Sequence, residues 1–135
     1  MKHSKRGDRK TPLRPTAEPR TRRRFGQHFL ESSWVTKVVT AIAASADHRL
    51  IEIGPGRGAL TFALAERVDR ILAVEVDRDL ARNLRDAAIT TLEVVEADFL
   101  DLDLPTLAAR IHRRGATVRI VGNLPYNVST EILLQ

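Results

Sequence analysis

A chain of 135 residues has the length of one ordinary domain and can bury a single core. It contains no cysteine, which excludes a disulfide scaffold or a Cys-based zinc site and points to a reducing compartment. Its apolar runs fall far short of the roughly 18 to 20 residues of a membrane span, and none lies near Met1 as in a signal peptide, so a soluble, cytoplasmic protein is expected.

The net charge of +5 is unevenly spread. Residues 1–24 carry ten Lys or Arg, among them Arg20, Arg22, Arg23 and Arg24, against Asp8 and Glu18, an excess of +8. Residues 25–135 carry twelve against fifteen and so stand at −3. Pro12, Pro15 and Pro19, few large apolar groups and no helical period predict a disordered basic arm over residues 1–24. Such an arm binds polyanions by counterion release without reading sequence; a solubilising tail is the alternative.

Beyond the arm, short β-branched runs alternate with helical stretches, the pattern of a parallel α/β sheet. A helix is predicted over Trp34–Ala44, capped by Ser32 or Ser33, with Val35, Val38, Val39 and Ile42 on one face. Then follow strand Arg49–Ile53, helix Ala59–Val68, strand Arg70–Val76, helix Arg78–Ala88, strand Thr91–Ala97, helix Pro105–Arg114 and strand Thr117–Val121. Gly115 is expected to close the third crossover helix behind Arg110, Arg113 and Arg114. A last helix starts near Val128 and is still running at Gln135, so residues 25–135 read as a domain incomplete at its C-terminus, with its first four strands present.

Glu52, Ile53, Gly54, Pro55, Gly56, Arg57 and Gly58 lie between an apolar strand and a helix. Glycines there let the backbone approach a ligand closely and leave helix N–H groups aimed at it. A nicotinamide dinucleotide satisfies the spacing, because Gly54, Gly56 and Ala59 fit the loose G-x-G-x-x-G/A pattern and Glu75 stands about twenty residues on. Three features favour S-adenosylmethionine instead. Glu52 completes an E-x-G-x-G-x-G motif whose acid can help hold the cofactor's ammonium, directly or through water, and would repel a pyrophosphate. Glu75 ends the second strand and can accept both ribose hydroxyls, whereas Asp77 reads as the cap of the next helix. Asp98 follows the third strand, placed to accept from the adenine amine while Phe99 or a neighbour covers the ring. Glu52, Glu75 and Asp98 are expected to line one crevice at the ends of three successive strands.

Gly122, Asn123, Leu124, Pro125 and Tyr126 follow the fourth strand and suggest the reaction. The exocyclic amine of adenine is a poor nucleophile, because its lone pair is delocalised into the ring. The Asn123 side-chain oxygen and the Leu124 carbonyl can each accept one amine hydrogen, drawing the nitrogen towards a tetrahedral form. Pro125 stiffens the loop, and Tyr126 offers a stacking face for an extruded base. This is catalysis by orientation, without a strong base or a metal.

With Phe25, Gly26, Gln27, His28, Phe29 and Leu30 ahead of the glycine loop, and Asn127, Val128, Ser129 and Thr130 after Tyr126, the chain resembles the KsgA-type ribosomal RNA adenine dimethyltransferases and their Erm relatives. The resemblance runs from Phe25 to Thr130. It implies a Rossmann-like class I S-adenosylmethionine-dependent methyltransferase fold. It also implies that Gln27, His28 and Leu30 fold over the methionine end of the cofactor, and that Gly54 approaches its backbone. Glu75 would take the ribose, Asp98 the adenine, and Asn123 both cofactor and target amine. His28 stands where Asn is commoner, and Glu131 where the ribosome-maturation branch often has Pro.

KsgA-like enzymes dimethylate two adjacent adenines of small-subunit (16S) rRNA, whereas Erm enzymes modify one adenine of large-subunit (23S) rRNA and confer macrolide resistance. Leu124 and Asn127 to Thr130 favour the first; an Arg-rich arm also occurs in some Erm proteins. An inactive RNA-binding assembly factor is the alternative of another class. The expected partner is ribosomal RNA of the pre-ribosomal small subunit, with no membrane or metal and a monomeric state. Family members are roughly twice this long, so a fragment is expected, with its fourth strand presenting an open edge.

Overall fold

The computed structural model describes residues 32–122. The basic arm, Gln27, His28 and Leu30, the Asn123 to Tyr126 loop and the helix expected near Val128 lie outside them. In chain order the elements are α1 (Ser32–Ile42), β1 (His48–Ile53), α2 (Ala59–Ala65), β2 (Arg70–Glu75), α3 (Arg78–Asp86), β3 (Leu92–Glu96), a 3-10 turn (Phe99–Asp101), α4 (Leu104–Ile111) and β4 (Thr117–Gly122). The four strands form one sheet in the order β3-β2-β1-β4, every pairing parallel, as the alternating pattern predicts. Because β2 adds on one side of β1 and β4 on the other, the chain reverses its direction of growth beside β1, where open α/β sheets bind ligands.

Alternating side chains of the strands feed two cores. On one face Leu50 and Ile71 pack with Val39 of α1, Leu60 and Leu64 of α2, and Val68. On the other, Ile51, Ile53, Leu72 and Val74 pack with Phe99 and with Leu107 and Ile111 of α4. Burial on both faces explains why β1 and β2 read as nearly continuous apolar runs. Among the described residues no helix is long and apolar enough to cross a membrane.

Several element ends differ from expectation, each for a local reason. α1 takes in both serines expected as caps, and its Thr36 and Thr40 hydroxyls donate to Ser32 O and Thr36 O one turn back. It stops at Ile42, since Ala43 turns left-handed (φ 48°). α2 ends at Ala65, three residues early. Arg67 and Val68 both donate to Leu64 O, and Val68 reaches the core from that turn, which is why the apolar spacing reads as continuing helix. α4 begins at Leu104 behind Asp103, whose carboxylate accepts from Thr106 N (2.9 Å) and Thr106 Oγ1 (2.6 Å), with Pro105 in the first turn. It ends at Ile111 because His112 is extended, so Gly115 does not close the helix. It sits at φ 82° within a separate turn in which Ala116 N donates to Arg113 O. The 3-10 turn has no signature in hydrophobic spacing.

At the N-terminal end of the sheet, Arg49 clamps Asp69 through Nε (3.1 Å) and Nη2 (2.8 Å) and donates to Ile111 O (2.6 Å). Arg113 shares Asp69, while Arg70 and Arg110 share Glu93. β4 is the outermost described strand on its side, and Ile120 on it is 46% exposed.

The far end of β4 is constrained more tightly. Gly122 pairs with Ile53, and a Cβ there would lie 2.6 Å from the Ile53 carbonyl oxygen. That atom is backbone inside a four-strand sheet and cannot move aside. Gly122→Ala is therefore expected to destabilise the chain by about 1–3 kcal/mol, as an overpacked site does, read as a lower urea midpoint. An unchanged midpoint would contradict this packing.

Candidate cofactor site

The tips of the strands are drawn together beyond their regular ladders. Gly54 N donates to Val74 O (2.9 Å) across β1 and β2, and Ala97 N donates to Glu75 O (3.1 Å) across β2 and β3. Gly122, the residue before Asn123, pairs with Ile53, the residue before Gly54. The glycine loop, Glu75 and Asp98 consequently share one end of the sheet.

Between β1 and α2 the backbone turns left-handed three times, at Gly54, Gly56 and Gly58 (φ 64°, 59° and 84°), a conformation that side chains resist. At Gly58 a Cβ would also crowd the tips of two side chains, Leu84 Cδ2 at 2.7 Å and Phe62 Cζ at 2.8 Å. Gly58 N donates to Pro55 O (3.0 Å) and Gly58 O accepts from Phe62 N (2.8 Å), so α2 starts directly behind the loop.

Glu75 is 2% exposed, and both its oxygens are held. Oε2 accepts from Gly56 N (3.0 Å) and Oε1 from Asp77 N (2.9 Å). An ionised carboxylate has about four acceptor positions, so each oxygen keeps capacity for one hydroxyl while the group's orientation is fixed. Asp77 caps α3 through Asp79 N (2.9 Å) and Leu80 N (3.2 Å), the structural role expected of it.

Glu52 sits deeper than a crevice lining requires, at 1% exposure. It points to the α2 face of the sheet, against the fully buried Thr61. Burial pushes its carboxyl up to about 7; the Thr61 hydroxyl opposes this, and the Glu75 charge adds to it. Neither Glu52 Oε2 nor Thr61 Oγ1 makes a hydrogen bond of good geometry. Two orphaned buried oxygens beside a left-handed glycine loop fit a ligand bearing a cationic, hydrogen-bonding group.

Asp98 is exposed, and its carboxylate accepts from Leu100 N (3.0 Å), capping the 3-10 turn. Cap and ligand roles are compatible, because one backbone donor leaves acceptor capacity to spare. Phe99 is not available as ring cover. It is 5% exposed and packs under α4, leaving that role to a neighbour.

Sequence reasoning passed over two residues here. Val76, directly after Glu75, is 39% exposed and offers an apolar surface beside the acid. Thr61 was legible as the one polar residue in the apolar helix Ala59–Ala65.

Glu52 also has a consequence for stability. A carboxyl raised in the folded state contributes stability below its ordinary value of 4.5, and that contribution is lost as pH rises through about 7. Glu52→Gln is expected to add on the order of 2–3 kcal/mol of unfolding free energy near pH 8, and almost none near pH 4. Urea melts at the two pH values test this, and equal effects at both would refute it.

The description "Ribosomal RNA adenine dimethylase" belongs to the family profile that matches residues 19–135. A protein named Ribosomal RNA small subunit methyltransferase A from Variovorax paradoxus is 48% identical over 113 residues, covering 83% of this chain and 42% of its own. Its namesake from Paracidovorax citrulli is 49% identical, with 83% and 43% covered. The chain thus spans about two fifths of the length of these relatives. Among solved structures, the 23S rRNA methyltransferase ErmE superposes with a TM-score of 0.66 at 28% identity, over 79% of this chain and 41% of that one. An RNA methyltransferase from Salinibacter ruber in complex with S-adenosyl-L-homocysteine superposes with a TM-score of 0.63 at 18% identity, over 79% and 67%, and so shares the fold. The parallel sheet is that of the class I S-adenosylmethionine-dependent methyltransferases, and the chain belongs to the ribosomal RNA adenine dimethylase family.

Proposed function

We propose that this chain carries the cofactor-binding part of an S-adenosylmethionine-dependent enzyme that dimethylates adenine amines in small-subunit ribosomal RNA, in the cytoplasm. The observation that carries the cofactor reading is the Glu75 carboxylate, buried and held by two backbone N–H groups so that one acceptor position on each oxygen remains for a ribose hydroxyl.

S-adenosylmethionine supplies a methyl group on a sulfonium, already an excellent leaving group. The protein's part is therefore placement. Gly54 and Gly56 admit the cofactor close to backbone, Glu75 holds the ribose, Asp98 accepts from the adenine amine, and Glu52 lies on the side of the cofactor's ammonium. Gln27, His28 and Leu30 complete the methionine end. Asn123 and the Leu124 carbonyl accept the hydrogens of the target amine, Pro125 stiffens their loop, and Tyr126 stacks on the extruded base. Arg20, Arg22, Arg23 and Arg24 hold the RNA backbone. The small-subunit target rests on relatives of that name at 48–49% identity, against 28% for the large-subunit enzyme.

Three measurements test the reading. Glu75→Gln, which puts an amide where two backbone donors need acceptors, is expected to weaken S-adenosylmethionine binding at least tenfold, since hydrogen bonds to charged groups are worth about 1.5–3 kcal/mol each. Unchanged affinity by calorimetry would sink the ribose assignment. Asn123→Ala is expected to abolish methyl transfer while RNA binding stays within about twofold; undiminished turnover would remove Asn123 from the reaction. Labelled-cofactor assays on 30S particles and on naked large-subunit RNA, with primer-extension mapping, should place the methyl groups on the small subunit; methyl groups on the large-subunit RNA alone would favour the Erm-type reading.

A further inference from the structure

α3 carries a stripe of three arginines. Successive residues of a helix turn by about 100°, so Arg78, Arg82 and Arg85 fall within roughly 60° of one another around the axis. All three are exposed, while Ala81 and Leu84 take the buried face. Asp79 and Asp86 lie further round the helix and form no ion pair with them.

The stripe leans over the outer edge of the sheet. Arg85 donates from Nη1 to Glu96 Oε2 (3.2 Å) and from Nη2 to Val94 O (3.5 Å), both on β3. Thr91 O accepts from Ile71 N and Ala97 N donates to Glu75 O, so the odd-numbered residues of β3 bond to β2 and Val94 O belongs to the opposite edge. Among the described residues no strand pairs with that edge. The stripe also starts beside the cofactor site: Arg78 follows Asp77, whose N–H holds Glu75, and β3 ends two residues before Asp98.

Neither the helix nor the cofactor has a use for this arrangement. Arg78 is the first residue of α3, in the turn where the helix dipole favours negative charge. Arg78 and Arg82, and Arg82 and Arg85, are like charges one turn apart, which repel. Of the three, Arg85 alone has an ion-pair partner among the described residues. S-adenosylmethionine carries no phosphate, and its sulfonium and ammonium are cations. Residues 32–122 hold twelve basic against thirteen acidic groups, so their net charge does not attract a polyanion and a local cluster must.

We propose that the arginine stripe of α3 is a track for the phosphate backbone of the RNA substrate, crossing the outer edge of β3 towards the site. Arg85, anchored to β3, sets the direction of the stripe; Arg78 and Arg82 supply the phosphate contacts, for which the planar guanidinium fork is suited. The inference rests on the ribosomal RNA reading above and adds to it a surface separate from the basic arm.

The test is the salt dependence of binding between the 135-residue chain and labelled small-subunit ribosomal RNA, by filter retention from about 0.05 to about 0.3 M salt. Arg78→Gln combined with Arg82→Gln should lower affinity about tenfold at the low end. It should also reduce the slope of log affinity against log salt by about 1.4–1.8, since each phosphate contact contributes about 0.7–0.9. Arg78→Lys with Arg82→Lys should keep the slope. In the double Gln variant S-adenosylmethionine affinity should stay within about twofold by calorimetry, and the urea midpoint should hold or rise as the positive end of the helix loses a cation. Arg114→Gln removes one exposed charge near the N-terminal end of the sheet and should change the slope less than Arg82→Gln does. An unchanged slope in the double Gln variant would overturn the track and leave the RNA reading standing. Equal losses from Arg82→Gln and Arg114→Gln would also overturn it, because net charge rather than place would then govern. A fallen urea midpoint with cofactor affinity lost in step would assign the arginines a structural role instead. No binding of RNA at any salt by a wild-type chain that circular dichroism shows folded would overturn both readings.

Discussion

The carboxylate of Glu75 holds the functional end of this domain together. It is the last residue of β2, yet its two oxygens reach Gly56 N in the loop after β1 and Asp77 N at the entry to α3. A single side chain thereby fixes the glycine loop against the neighbouring strand and sets the start of the next helix. Without those acceptors two part-buried backbone donors would lose their partners, at a cost of up to about 1–3 kcal/mol each. The same two bonds aim the carboxylate, so the group that orders the loop is already oriented for a ligand.

What surrounds that clamp follows from parallel topology. β1 is flanked by β2 and β4 and covered by α1 and α2 on one face and α4 on the other, so its end is enclosed on both faces. Glu52 sits at that point and is buried; Asp98, past the edge strand β3, is exposed. Two acids that look equivalent in sequence, each at the tip of a strand, thus meet opposite dielectric surroundings. Burial raises the Glu52 carboxyl, whereas Asp98 lies open to solvent.

Much of this was readable from residues alone, and the parts that were not have definite physical causes. The strands, their parallel pairing and the glycine loop were legible because each depends on particular residue types at particular places: β-branched runs, and glycine where φ is positive. The helix ends were not. Val68 continues the apolar spacing of α2 from outside the helix, and the basic run before Gly115 resembles a helix C-terminus although the helix stops at Ile111. Phe99 shows a different limit. An aromatic next to a candidate ligand acid reads as a stacking face, but the 3-10 turn capped by Asp98 rotates it into the core. Thr61 carried a signal, a lone hydroxyl on an apolar helix, whose meaning depended on knowing what lay opposite.

The ion pairs at the other end of the sheet give the domain a polarity in its response to acid and base. There Asp69 is shared by Arg49 and Arg113, and its carboxyl is held below the usual range chiefly by the hydrogen bond from Arg49. Its contribution to folding is present above the ordinary carboxylate value and fades as pH falls further. Acid therefore loosens the foot of the sheet, where guanidinium groups lose their shared counter-charge, and leaves the already neutral Glu52 untouched. Alkali does the reverse, putting charge under the glycine loop while the foot stays locked. Acid and alkali thus act on opposite ends of the one sheet.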